Sequence, residues 1–117
     1  MENSTRKQVK TDRKVTLRGG NATIDAHLVD VSVHGIGVVS DRGAKIGTQL
    51  DTQFELPAFS VFKMFDLQGI VTHRHNVGNE IYLHIEFNTL NKEDRLALQD
   101  FIDYKNRLSQ ASRKTFD

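Results

Sequence analysis

The sequence predicts a mainly β fold, a six-stranded antiparallel β-barrel followed by a C-terminal α-helix. Three observations point there. From Lys14 onward, short runs rich in Val, Ile, Leu and Phe recur between turn signals. Two of these runs alternate cleanly: Ile24, Ala26 and Leu28 fall on one face, and Ile81, Leu83, Ile85 and Phe87 on another. A single stretch near the end carries apolar residues at helical spacing. Half-buried strands with so few helices to cover them remove their exposed edges by closing on one another.

Residues 1–13 are polar, with Val9 the only sizeable aliphatic side chain after Met1, so they are expected to form a flexible basic N-terminal arm. The folded unit is expected over residues 14–108. Strands are predicted at 15–18, 23–29, 35–39, 48–56, 67–74 and 80–87, with Phe59 to Phe65 a loop or a short extra strand. Gly-Gly-Asn at 19–21, Asp-Arg-Gly at 41–43 and Asn-Val-Gly-Asn at 76–79 mark turns. The helix begins at Asn91, whose side chain suits an N-cap, with Glu93 and Asp94 in the positive first turn. Leu98, Phe101, Ile102 and Leu108 form its apolar stripe, and residues 109–117 are expected to fray.

The 117 residues suit one domain with one core. Cysteine is absent, which excludes a disulfide framework, a thiolate nucleophile and Cys-based metal centres. No apolar run reaches membrane-spanning length, and MENSTRKQVK lacks the apolar stretch of a signal peptide, so a cytoplasmic protein without membrane insertion is expected. The net charge of +1 conceals an asymmetry. Residues 1–18 hold Arg6, Lys7, Lys10, Arg13, Lys14 and Arg18 against Glu2 and Asp12, a local +4, and the remaining 99 residues sum to −3. Such an arm is either a solubilising tail or a device for capturing an anion.

Enzyme readings find no support: G-x-S-x-G, P-loop, H-E-x-x-H and dinucleotide-binding glycine patterns are all missing. The hairpin around residues 76–79 raises the question of a metal site. A two-residue turn would put His73, His75 and His84 on one face, whereas a register shifted by one aligns Leu67, Gly69 and Val71 with Ile81 to Phe87 and sends His84 away. The buried face favours the shifted register, and no metal is expected. A nucleic-acid-binding barrel would need aromatic platforms along a basic groove, but positive charge here is confined to the arm.

The informative segment is Asp30-Val31-Ser32-Val33-His34-Gly35, a polar turn between two strands. Taken alone it is an ordinary Asx-type turn, in which Gly35 supplies backbone freedom. A D-x-S-x-x-G turn preceded by a basic arm, with Ile81 to Phe87 leading into a terminal helix, resembles the PilZ domain family, bacterial receptors for cyclic di-GMP. The resemblance runs from about Arg6 to Leu108. Two positions depart from the family pattern: the R-x-x-x-R of the arm is represented only by Arg6-Lys7-Gln8-Val9-Lys10, and His84 stands where glycine is common.

The resemblance implies a PilZ-type six-stranded barrel with a C-terminal helix and a cyclic di-GMP site. Arg6, Lys7 and Lys10 would meet phosphates and guanine edges; Asp30 and Ser32 would hydrogen-bond the bases, and Gly35 would admit the backbone. Arg13 and His34 are further candidate contacts. Because lysine lacks the planar fork of arginine, Lys10 supplies charge without bidentate or stacking contact. The protein would then be a non-enzymatic adaptor with no cofactor beyond the ligand, monomeric or homodimeric, whose arm orders on binding and signals to a downstream protein partner. The alternative is a PilZ-like protein that does not bind cyclic di-GMP and acts through protein–protein contacts, as in pilus or motility machinery.

Overall fold

The computed structural model describes residues 8–115, with side chains to residue 110. The elements are β1 (Val9–Gly19), β2 (Ala22–Val31), β3 (Gly35–Ser40), β4 (Gln49–Ala58), β5 (Val61–Val77), β6 (Glu80–Phe87) and α1 (Lys92–Thr115). All strand pairs are antiparallel, and the ring order is β1-β2-β3-β6-β5-β4. The period-2 pattern sorts the faces. On β4, Leu50, Thr52, Phe54, Leu56 and Ala58 are buried, and on β6 so are Leu83, Ile85 and Phe87. Phe54 and Phe65, Cα partners, stack at 5.2 Å in the centre of the core.

The expected barrel is corrected at one seam. The strands stand in ring order, but β1 and β4 pair only from Val15↔Phe54 to Arg18↔Asp51, so the sheet is not sealed into a barrel along its full height. The cause lies in β1, where Lys10 faces Asp30 but Arg13 faces Leu28, an extra residue on β1 that bends the strand. Below Val15 the strand stays with β2 and leaves β4. There the Glu55 carbonyl accepts a 2.7 Å hydrogen bond from the Arg13 guanidinium.

Three boundaries also differ from expectation. β1 starts at Val9, within the stretch read as an arm, because Val9 is buried opposite Val31. Residues 61–65 belong to a 17-residue β5 joined to β4 by the tight turn Phe59-Ser60. The helix runs to Thr115, through most of the expected tail, since neither Gly nor Pro follows Asn91 to stop it. Asn91 caps it as expected, its Oδ1 accepting the Asp94 N–H at 2.7 Å. Ala97, Leu98, Phe101 and Ile102 bury its inner face. Among the described residues no helix is long and apolar enough to cross a membrane.

Two stability changes are expected in urea denaturation. Asn91→Ala removes the cap and lowers stability by about 1 kcal/mol. Ser60→Gly relieves a left-handed backbone (φ 69°) and raises stability by about 1 kcal/mol.

Candidate functional site

The chain alternates inward and outward along β2, so Ala26 and Leu28, both buried, would be followed inward by Asp30. A bulge prevents this. Leu28 pairs with Val38 and Asp30 with Gly37, which leaves Val29 extra and turns Asp30 to the outer face while Val31 enters the core. A second bulge, on β1, places Lys10 directly across from Asp30. Gly37 in turn is the Cα partner of His84, and His84 of His73. Lys10, Asp30, Gly37, His84 and His73 thus form one row across five strands, on the face opposite the core residues Ile36, Val38, Leu83 and Ile85.

Asp30 is 3% exposed although it lies on the outer face. It is covered because its carboxylate and the Tyr82 hydroxyl fill the space that a Gly37 side chain would occupy; a Cβ there would collide with both. The Tyr82 hydroxyl donates to Asp30 Oδ2 at 3.1 Å. Burial, and then the neighbouring Asp30 charge and this hydrogen bond, push the phenol up to about 12 from its ordinary 10. His75 stacks on Tyr82 at 4.8 Å and so holds the ring from β5.

In the turn that follows, Ser32 Oγ accepts the N–H groups of His34 (3.1 Å) and Gly35 (3.2 Å) and lies 3.3 Å from the Gly35 carbonyl. Its hydroxyl therefore shapes the turn from within. Gly35 has no positive φ, so backbone freedom is not the reason for glycine there. A Cβ at Gly35 would run into the Ile85 carbonyl oxygen, and the close approach to β6 is what demands it. The turn is also tied to β6 by Phe87 N–H donating to the His34 carbonyl at 2.8 Å. The His34 side chain is exposed.

Of the candidates named from sequence, Lys10 and Asp30 come together across β1 and β2, with Ser32, His34 and Gly35 in the turn from β2 into β3. Arg6 and Lys7 lie outside the described residues. Arg13 is turned away from Asp30 toward β4, its guanidinium held by the Glu55 carbonyl and lying 5.4 Å over the Phe62 ring. Sequence reasoning missed Gly37 and Tyr82; strand pairing from the hairpin turns, continued across the sheet, was the signal that could have aligned them with Asp30.

The histidine register is a further correction. The expectation parts His84 from His73 and His75, but a bulge at Thr72 joins both registers. Val71 pairs with Ile85, as the buried face requires, and one step later His73 pairs with His84, their rings edge to face at 5.7 Å. Among the described residues no three His, Cys, Asp or Glu side chains gather in a way that could hold a metal ion.

Comparison with known proteins adds three findings. A family model described as PilZ domain matches residues 2–104. No curated protein matches the chain. Among solved structures, the fold is similar to the Bacillus subtilis inhibitor of motility MotI/DgrA (TM-score 0.75, 17% identity, covering 91% of this chain and 51% of that one). It is also similar to Escherichia coli YcgR in complex with c-di-GMP (TM-score 0.78, 12% identity, covering 94% and 49%). The PilZ domain of YcgR with c-di-GMP matches at TM-score 0.68 and 14% identity, covering 92% and 94%. The chain therefore spans about half the length of the first two proteins.

The Asp30–Tyr82 contact makes a titration prediction. With its proton held more tightly in the folded state, Tyr82 contributes stability that is full below pH 10 and is lost as pH rises toward 12. In Tyr104→Phe, which leaves Tyr82 the only tyrosine, phenolate absorbance should rise near pH 12 while circular dichroism still reports a folded chain. Asp30→Asn should move the rise toward 10.

Proposed function

The chain belongs to the PilZ domain family, whose model spans residues 2–104, and from that premise we propose that it is a cytoplasmic cyclic di-GMP-binding adaptor. The observation that carries this reading is the outer-face row in which Lys10 lies across from Asp30, beside the Asp30-x-Ser32-x-x-Gly35 turn. The ligand has two phosphate charges and two guanines. Lys10, with Arg6 and Lys7 ahead of it in the chain, supplies cations for the phosphates, and the guanidinium of Arg6 matches the O6/N7 edge of guanine. Asp30 Oδ2 accepts from Tyr82, which leaves acceptor capacity on the carboxylate for guanine N–H groups.

The contacts of the turn support different roles for the other candidates. Ser32 and Gly35 act by setting the turn rather than by touching the ligand, since the Ser32 hydroxyl is engaged within it and Gly35 lies against Ile85. His34, exposed at the turn, presents a ring face to a base. Arg13 stays with β4. The signal passes when the basic segment closes over the ligand and presents a new surface to a downstream protein. The chemistry is recognition and needs no catalytic group.

A second reading keeps the family and drops the ligand: a domain that works through protein contacts. It is favoured by Lys10 at the second position of the arm motif and by an Asp30 already 3% exposed and engaged by Tyr82.

Calorimetric titration with cyclic di-GMP separates the two. The receptor reading expects saturable heat, at least a tenfold loss of affinity in Asp30→Ala and in Arg6→Ala, and a gain in Lys10→Arg. Absence of heat at high micromolar ligand, in both the wild type and Lys10→Arg, overturns the receptor reading and leaves the second.

A further inference from the structure

The tip of the β4–β5 hairpin is built against ordinary preferences. Tight hairpin turns with positive φ favour Asn and Gly, yet the two turn residues here are Phe59 (φ 55°) and Ser60 (φ 69°). Such backbone persists where its surroundings hold it, and the Asp100 carboxylate of α1 does so by accepting the Phe59 N–H at 2.8 Å. The result displays apolar side chains to solvent. Phe59, Val61 and Phe62 are 59–63% exposed, across the groove on α1 Tyr104 is 41% exposed, and Leu108, one turn further along the helix outside the groove lining, is 48% exposed. Asp100 and Arg107 complete the groove wall.

We propose that this groove is where a second copy of the chain docks, the two α1 helices lying antiparallel about a two-fold axis. Exposed area and charge placement identify the occupant. Each of the five side chains exposes on the order of 100 Å², so together they supply more than half of the about 800 Å² that each partner contributes to a standard interface. Asp100 and Arg107 are seven residues apart, two helical turns or about 10 Å along one stripe of α1. A two-fold axis between Asp103 and Tyr104 sets Asp100 of each copy opposite Arg107 of the other, forming two ion pairs related by symmetry. Opposite charges at equal distances from one point are self-complementary, and the apolar ridge of Tyr104 and Leu108 then meets the groove beside the hairpin. This inference is independent of any ligand.

Sedimentation equilibrium of the full chain from about 5 to 500 µM tests it. The expected result is a mass that doubles with concentration. Asp100→Arg and Arg107→Asp, each confirmed as folded by circular dichroism, should each weaken self-association at least tenfold. An equimolar mixture of the two should recover it as a heterodimer, because both cations of the first variant then face carboxylates of the second. The mixture also controls for loss of the Asp100 hold on Phe59, which mixing cannot restore. A chain monomeric throughout the range, or single variants that associate like wild type, or a mixture no tighter than its components, overturns the proposal; an unlike partner would then be the occupant.

Discussion

A carboxylate on the outer face of a β-sheet is ordinarily solvated, and the outer face of this protein is organised around one that is not. Asp30 lies over Gly37 with the Tyr82 hydroxyl at its side, and neither oxygen has room to stay if position 37 gains a side chain. Burying a charge without a partner is costly. Tyr82 supplies the hydrogen bond, and His75 supports the ring from the next strand. Three strands are thereby committed to one polar contact, β2 for the acid, β3 for the glycine and β6 for the phenol.

The bulges follow from that commitment. Without the extra residue at Val29, the alternation of β2 would drive Asp30 into the core beside Leu28 and expose Val31. The irregularity on β1 brings Lys10 opposite the acid and lets Val9 remain buried against Val31. At Thr72 the same device serves a different end, satisfying the core register of Val71 and then pairing His73 with His84. Each bulge changes which face the next side chain takes, and together they separate the polar outer row from the apolar interior.

What can be read in the sequence divides along the same line. Six strands and a capped helix are legible because Ile24 to Leu28, Ile81 to Phe87 and Asn91 to Ile102 carry their periods openly. β1 reads too short because Val9 is a lone aliphatic among charges, and its burial depends on Val31, 22 residues away. β5 reads too short because Val61, Phe62 and Met64 are exposed apolar residues, which blur alternation. The D-x-S-x-x-G turn stands out, but the contacts its residues make do not: Ser32 bonds its own turn, and a Cβ at Gly35 would meet the Ile85 carbonyl. Tyr82 stays hidden because its partner lies 52 residues upstream, and no local pattern encodes a contact of that span. Bulges are equally illegible, since one inserted residue shifts the alternation by a single position, and few residues of the strand lie beyond it to show the shift: Val31 is the last residue of β2.

The short β1–β4 seam gives the ring a weak side. From Val15 to Arg18 the strand is held on both flanks, but from Val9 to Lys14 its backbone ladder runs to β2 alone, with the Arg13 guanidinium standing in on the other side. Local opening costs least where a strand has a single neighbour. The first half of β1 is therefore one segment that can peel without unfolding the rest. It carries Lys10 at the row and Arg13 at the hairpin, so one local opening releases both at once, and the two faces of the domain share a latch.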